Sequence, residues 1–239
     1  MRRPLLPLVA FLPLLLGADA AAPQKGSISG KVIAVKDGKP VAQPDVYVYL
    51  QPVGKKKKGD APGKGVRKEI HQKAANGTKV FDPSVVVIPV GAEVAFPNDD
   101  REEHNVFSPT DPPFDLGRYN TDKKGKAHTF EDADEFDIYC DIHPMMLAKV
   151  KVVDSAYIVK VADGQFTFPN VAAGTYKVIA WTPDSAEVKS SKVVVTSSAV
   201  TLADALHLQI TARSGCHDRK DGTPYDAKYG RYSRCPPQK

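Results

Sequence analysis

The residues best suited to chemistry form a Cys-x2-His-x2-Met pattern, made by Cys140, His143 and Met146. The pattern places a soft thiolate, an imidazole and a thioether on one short loop between two predicted strands. Thiolate and thioether favour Cu(I), while imidazole binds both oxidation states of copper, so the mixture suits a copper ion that cycles between them. Such a site needs one more histidine. His104, which lies 36 residues before Cys140 and between two predicted strands, is the candidate.

Two alternatives to copper are open for these residues. A lone cysteine at a strand end is often only a small buried apolar residue, so a site without metal is one alternative. Zinc is the other, although methionine is a poor zinc ligand. A binuclear copper centre is excluded because the loop has no second cysteine. Multicopper oxidase chemistry is excluded because the 6 histidines include no His-x-His pair.

The charge balance argues against a nucleic-acid partner. The chain has 33 Lys and Arg against 28 Asp and Glu, a formal net charge of +5. Nucleic-acid binding usually needs a concentrated basic surface, and these charges are interspersed. The lysine run at residues 55–58 continues into a stretch rich in glycine and proline, which is typical of a solvated linker over residues 55–65.

Residues 1–20 have the features of a secretory signal peptide. Two arginines precede an apolar run over residues 5–16, and the small-residue pattern Ala18-Asp19-Ala20 follows. The apolar run is shorter than the roughly 20 residues that cross a bilayer, and no later run approaches that length. We therefore expect a secreted or periplasmic protein without a transmembrane segment. An uncleaved membrane anchor is the alternative.

The three cysteines divide between two expected roles. An exported chain meets an oxidising compartment, in which Cys216 and Cys235 are expected to form a disulfide. The bridge would close a loop of about 20 residues within the C-terminal tail, residues 212–239, and would contribute about 3 kcal/mol of stability. Cys140 then remains as the thiol available to a metal.

The hydrophobic pattern predicts an all-β fold. Short β-rich runs alternate with turn signals along the chain, and helical periodicity is scarce. Seven or so runs between residues 80 and 153 predict one β-sandwich. The runs Val46–Leu50, Gln165–Phe168 and Thr175–Trp181 belong to a second β-sandwich.

The second sandwich is expected to be split along the chain. Two or three strands before residue 54 cannot bury a face by themselves, and the runs after residue 155 supply the missing partners. The segments that carry a resemblance to the carboxypeptidase-regulatory, transthyretin-like domain are Gly26–Val32, Val46–Leu50, Asp163–Phe168 and Pro169–Tyr176. We therefore expect this domain at residues 26–54 and 155–211, with a whole domain at 66–153 inserted between its halves. Two domains in series are the alternative.

The inserted segment resembles the cupredoxins, in particular the amicyanin and plastocyanin branch. The resemblance covers Ile70–Val153 and rests on the His-Asn pair at 104–105, the Cys140 loop and the run Pro83–Asn98. It implies a Greek-key β-sandwich with one type 1 copper, and the implied ligands are His104, Cys140, His143 and, as the weak axial ligand, Met146. The adjacent Met145 offers a second thioether, but the His-x2-Met spacing favours Met146. Asn105 is implied to fasten the two ligand loops, and a backbone amide there to donate to the cysteine sulfur.

A copper held by four protein ligands has no open position for a substrate, which favours an electron carrier over an enzyme. The resemblance implies that His143 is the electron-transfer port, surrounded by an apolar patch that includes Pro144 and Met145. A c-type cytochrome or a dehydrogenase would be the redox partner.

Two further interpretations concern the acidic residues near the site and the function of the whole protein. The acidic residues at 99, 100, 102, 103 and 141 would steer a basic redox protein, or would form no more than a solvated loop. The alternative function is a non-catalytic extracytoplasmic binding or adhesion module in which copper is structural or absent.

Overall fold

The computed structural model describes residues 24–42, 45–54, 61–211 and 216–226, and these form strands, turns and loops without a helix. The predicted all-β class is confirmed. The strands are β1 (Lys25–Lys36), β2 (Lys39–Pro40), β3 (Tyr47–Pro52), β4 (Arg67–Glu69), β5 (His71–Ala75), β6 (Thr78–Asp82), β7 (Val85–Pro89), β8 (Ala92–Asn98), β9 (His104–Ser108), β10 (Phe114–Tyr119), β11 (Asp122–Phe130), β12 (Glu135–Tyr139), β13 (Leu147–Val153), β14 (Ile158–Lys160), β15 (Gln165–Ala172), β16 (Gly174–Thr182), β17 (Ser185–Val195), β18 (Ala199–Thr201) and β19 (Leu206–Gln209).

The strands between residues 67 and 153 form two five-stranded sheets that share a core, and we call this unit the inner sandwich. One sheet has the order β10-β9-β12-β13-β7, and the other has the order β11-β8-β5-β6 with β4 beside β8. Residues alternate between buried and partly exposed along β12, so Phe136 and Ile138 point inward. They share a core with Phe96 and Phe130 of the other sheet.

Strands that precede and strands that follow the inner sandwich in the chain together form the second unit, which we call the outer sandwich. β1 pairs with β15, β18 and β19, so a strand that precedes the inner sandwich lies against three strands that follow it. The facing sheet has the order β14-β3-β16-β17. The core of the outer sandwich, between these two sheets, includes Ile28, Leu50, Val178 and Leu208. The assignment of this sandwich to the carboxypeptidase-regulatory family stays a prediction.

Several strands have no counterpart among the apolar runs of the sequence. Strands β4, β10 and β18 contain no buried residue along their length. A strand whose side chains face solvent on both sides, or are only partly covered, shows no apolar alternation. Hydrophobic periodicity therefore cannot reveal these strands.

A third apolar cluster, which we call the junction, joins the two sandwiches. Its buried members are Tyr49, Val85, Val87, Val153, Ile179 and Trp181. The indole of Trp181 in the outer sandwich donates from Nε1 to Glu135 of the inner sandwich at 2.8 Å. Lys151 of the inner sandwich pairs with Glu187 of the outer sandwich at 2.9 Å. Apolar packing and a charged network therefore both connect the two units.

Glu187 is expected to give the junction a pH-dependent stability. Burial, the largest influence, would raise the pKa of Glu187, but the Tyr49 hydroxyl and the Lys151 ammonium outweigh burial and lower the pKa below its ordinary value of 4.5. The stability that Glu187 contributes is therefore present above the ordinary pKa and is lost as the pH falls through the lowered one. Glu187→Gln should reduce the free energy of unfolding by about 1–3 kcal/mol near neutral pH, and by less in acid.

Denaturant unfolding of the wild type and the Glu187 variant, near neutral pH and near pH 3, checks this expectation. The exposed residue Glu131 offers a matched Glu→Gln control. If the free energies of unfolding of the wild type and Glu187→Gln differ by the same amount near pH 3 as near neutral pH, the charge of Glu187 does not stabilise the junction.

Several predicted features lie outside the described residues. These are the signal peptide at 1–20, residues 55–60 of the linker, and Cys235. Cys216 is buried at 6% exposure, but its disulfide with Cys235 stays a prediction. Across the described ranges, no helix has the length and apolar character required to cross a membrane.

Candidate metal centre

Three strand ends bring the sequence-predicted ligands together. β9 begins at His104, β12 ends at Tyr139 immediately before Cys140, and β13 begins at Leu147. β12 pairs with both β9 and β13, so these ends are neighbours in one sheet. Two backbone hydrogen bonds close the intervening Cys140–Met146 loop, from Cys140 N–H to Met146 O at 3.2 Å and from Met146 N–H to His143 O at 3.1 Å. His104 therefore lies beside this loop.

The donor atoms of His104, Cys140 and His143 converge. One ring nitrogen of each histidine and the cysteine sulfur all lie within 4.8 Å of one another, the one such group in the part of the chain that the structure describes. The two histidine Nδ1 atoms are 3.2 Å apart, and Cys140 Sγ is 3.6 Å from His143 Nδ1. His104 and Cys140 are fully buried, whereas the His143 side chain is 14% exposed. The group therefore lies just beneath the surface, with His143 at its edge.

The two imidazoles are available as neutral ligands. Nε2 of His104 lies 3.3 Å from an Asp100 carboxylate oxygen, which can only accept, so the proton is on Nε2 and the lone pair of Nδ1 faces the cluster. Burial is the main cause that lowers the pKa of His104. Burial and then the neighbouring His104 lower the pKa of His143 to about 4. Both rings are therefore uncharged near neutral pH.

Asp100 is held as a carboxylate behind His104. Burial, the largest influence, would raise the pKa of Asp100, but hydrogen bonds from Lys79, the Arg101 N–H and His104 outweigh burial and lower the pKa to about 2. Lys79 Nζ lies 2.5 Å from Asp100 Oδ2. A carboxylate that accepts from the far nitrogen of a ligating histidine fixes the ring orientation and increases the basicity of the ligating nitrogen.

The Cys140 sulfur lies in a setting that suits a metal-bound thiolate. Burial raises the pKa of Cys140, while backbone hydrogen bonds from Asn105, Ile142 and His143 act to lower it. A buried thiol without a cation therefore stays protonated, and a bound metal ion would displace the proton. The role that the resemblance implies for Asn105 stays a prediction.

Asn105 connects the two loops that carry the donor atoms. Its side-chain Oδ1 accepts from the Asp141 N–H at 3.3 Å, and its Nδ2 donates to Asp115 at 2.8 Å. Asn105 is fully buried. The side chain therefore links the start of β9 to the Cys140–Met146 loop and to β10.

Replacing Asn105 with alanine is expected to destabilise the site. Asn105→Ala leaves the buried Asp141 N–H without its partner, so the free energy of unfolding should fall by about 1–3 kcal/mol. Denaturant unfolding measures this change, and the exposed Asn120→Ala is the matched control. Equal stabilities for Asn105→Ala and Asn120→Ala would contradict the link described above.

The remaining predicted residues of the loop differ in exposure. Met146 is fully buried in the same core cluster as Cys140, and Met145 is half-buried. Pro144 is buried, so it offers little surface to a partner, and the exposed edge of the loop is made by other residues such as His143 and Met145. The choice of Met146 as the axial ligand stays a prediction.

The donor set fits copper on its chemistry. Two neutral imidazoles and one thiol converge, and a buried methionine belongs to the same loop. Trigonal sites made of two histidines and one cysteine, with a weak methionine, are typical of blue copper. A structural zinc site would more commonly use four histidine or cysteine ligands, and methionine would be unusual.

Most of the acidic residues near the site are paired with cations. Asp99 pairs with Lys123 at 2.9 Å, and Asp141 pairs with Arg118 at 3.0 Å. Lys79 lies between Asp100 and Glu102. Because these charges neutralise one another, the structure gives little support to an acidic surface that steers a basic partner.

Two features of the site were not predicted from the sequence. Asp100 lies four residues before His104, and a carboxylate near a candidate histidine ligand was a usable signal. The second feature is the segment 216–226, from which Tyr225 donates to the carbonyl oxygen of Cys140 at 2.7 Å. No local pattern could have placed this segment at the site, because the contact spans 85 residues.

One family model matches part of the chain. Residues 148–203 are similar to the family described as "Polysaccharide lyase family 4, domain II". The match begins within β13 and extends to the turn after β18. It therefore covers the last strand of the inner sandwich and much of the outer one. None of the curated proteins is similar enough to this chain to count as a match.

Several solved structures are similar to part of this chain. A purple cupredoxin from Nitrosopumilus maritimus is 28% identical over 37% of this chain and 99% of its own, with a TM-score of 0.31. A reduced mutant of amicyanin is 21% identical over 40% of this chain and 87% of its own, with a TM-score of 0.32. A copper-containing nitrite reductase from Thermus scotoductus SA-01 is 25% identical over 43% of this chain and 25% of its own, with a TM-score of 0.31. At these TM-scores the likeness carries no functional inference, so any functional conclusion depends on the geometry of the site.

Proposed function

We propose that this protein is an electron carrier with one type 1 copper bound by His104, Cys140 and His143, and with Met146 as the weak axial ligand. The observation that supports the proposal is the convergence of two neutral imidazole nitrogens and a cysteine sulfur within 4.8 Å. Copper bound there would supply a one-electron couple between Cu(I) and Cu(II).

The protein residues around the donor atoms favour electron exchange over catalysis. Cys140 and His104 are fully buried, and Met146 fills the core on the same loop. A set of four protein ligands leaves no position for a substrate, so we propose that the protein is not an enzyme. The fixed carboxylate of Asp100 and the side chain of Asn105 orient the donor groups, which limits rearrangement when the charge of the site changes.

Electrons would enter and leave through the edge of His143. Its side chain is 14% exposed, whereas the other two donor residues are buried. We propose a protein redox partner that docks over this edge, in the class of c-type cytochromes or dehydrogenases. We also propose that the chain is exported, since residues 1–20 have the pattern of a cleaved signal peptide.

Electron exchange by the full chain, loaded with stoichiometric copper, tests the proposal. Stopped-flow mixing with a small redox mediator should give fast, reversible reduction of one equivalent of copper per chain. The zinc-loaded protein is the matched control, because zinc has no accessible redox change.

Two results would overturn the proposal. One is a protein that loses its copper on dialysis, and the other is a copper form that reacts with the mediator no faster than the zinc form. Either result, in a correctly folded protein, would favour a binding or adhesion module instead.

A further inference from the structure

The C-terminal segment 216–226 is bonded directly to the Cys140–Met146 loop. Tyr225 Oη donates to the Cys140 carbonyl oxygen at 2.7 Å, and the Lys220 N–H donates to the Asp141 carboxylate at 3.1 Å. His217 lies against the same loop. Burial is the main cause that lowers the pKa of His217, while the carbonyl oxygens of Asp218, Met146 and His143 act to raise it.

Ring contacts also hold the segment against the loop. The His217 imidazole stacks on Tyr139, the residue before Cys140, with ring centroids 4.1 Å apart and planes at 4°. Tyr225 meets His217 edge to face at 5.6 Å. His217 and Tyr225 are 1% and 4% exposed, so both rings are part of the protein interior.

A compact turn presents Tyr225 to the loop. The Arg219 N–H donates to Thr223 O at 3.1 Å, and the Gly222 N–H donates to Arg219 O at 2.8 Å. The Arg219 guanidinium lies over the Tyr225 ring at 5.5 Å. Lys220 Nζ pairs with Asp115 of β10 at 2.9 Å, which ties the turn to the inner sandwich.

We propose that residues 216–226 form a strap that fixes the Cys140–Met146 loop from outside, with Tyr225 as the positioning residue for Cys140. The hydrogen bond to the Cys140 carbonyl restrains the backbone from which the sulfur extends, and the stack on Tyr139 restrains the preceding residue. The strap leaves the edge of His143 exposed, so it restrains the loop without closing that side. The consequence for copper rests on the proposed function, whereas the consequence for the loop does not.

Hydrogen exchange in the metal-free protein tests the strap independently of copper. Tyr225→Phe keeps the ring and removes the hydroxyl, so amide exchange in residues 140–146 should become about five- to tenfold faster, as expected for one lost buried hydrogen bond. Amides in β7 and β13 away from the loop should be unchanged. Tyr176→Phe is the matched control, because Tyr176 donates to the Ala172 carbonyl at 3.0 Å in the outer sandwich.

A second readout addresses the copper site. Copper transfer from the Tyr225→Phe protein to a chelator should be at least about fivefold faster than from wild type, because the residue behind the sulfur is less restrained. Tyr176→Phe should release copper at the wild-type rate. If no form of the protein binds copper, the proposed function fails while the exchange experiment still decides on the strap.

The strap is overturned if Tyr225→Phe leaves exchange in residues 140–146 unchanged, or if exchange accelerates equally throughout the chain. Acceleration of the same loop in Tyr176→Phe would also overturn it. Should Tyr225→Phe fail to fold, Lys220→Met replaces it, because this change removes only the ion pair to Asp115. Exchange in the loop should then be about two- to threefold faster, and an unchanged rate would count against the strap.

Discussion

Replacing Cys140 with serine is expected to abolish the intense visible absorption of the oxidised, copper-loaded protein. The absorption would arise from charge transfer between the Cys140 thiolate and copper, and a serine hydroxyl is a hard donor that does not ionise under the same conditions. Copper affinity should fall by at least about 100-fold, since loss of a residue that only supports a ligand already costs about 10- to 100-fold. Absorption spectra and competition with a chelator measure the two effects.

Ala148→Ser is the control for the polarity of the substitution. Ala148 is fully buried in the same core cluster as Cys140, so the variant places a hydroxyl in that core while keeping the thiol. It should retain the visible band. A Cys140→Ser protein with an undiminished band would show that copper binds elsewhere.

Replacing Trp181 with alanine is expected to cause the largest loss of stability. The indole is 1% exposed in the junction, packs near Tyr47 with ring centroids 6.5 Å apart, and donates to Glu135. Removing a buried tryptophan should reduce the free energy of unfolding by about 3–5 kcal/mol. Because the junction connects the two sandwiches, we also expect the unfolding transition of Trp181→Ala to be broader than that of the wild type, or to separate into two steps.

Circular dichroism follows this change, since Trp181 is the one tryptophan of the chain and its fluorescence is lost in the variant. Val194→Ala, at a position 63% exposed in the outer sandwich, is the control for truncation outside the core. Trp181→Phe keeps most of the packing and should lose less than Trp181→Ala. Equal stability of Trp181→Ala and Val194→Ala would mean that the junction does not stabilise the protein.

The sequence predicted the strands that bury apolar residues on at least one face. Val46–Leu50 and Glu135–Cys140 correspond closely to β3 and β12, in which apolar residues are buried. The fully exposed β4 has no such signal, because only backbone pairing with β8 makes it a strand. Backbone pairing depends on a neighbouring strand and leaves no mark in local composition.

Residue types and spacing were enough to predict which donors converge. His104, Cys140 and His143 lie together because β9 and β12 are neighbours in one sheet. The acidic residues were harder to interpret, since pairing of Asp99 with Lys123 and of Asp141 with Arg118 exists only in the folded chain. The contact of Tyr225 with Cys140 depends in the same way on tertiary structure.

X-ray absorption at the copper edge, recorded on the full chain in both oxidation states, tests the proposed copper centre most directly. We expect one sulfur ligand at bonding distance and two imidazole nitrogens in both Cu(I) and Cu(II) forms, with the same ligands throughout. Loss of the sulfur signal in Cys140→Ser would assign it. Copper surrounded by nitrogen and oxygen alone in the wild type, or a ligand set that changes on reduction, would contradict a closed electron-transfer site.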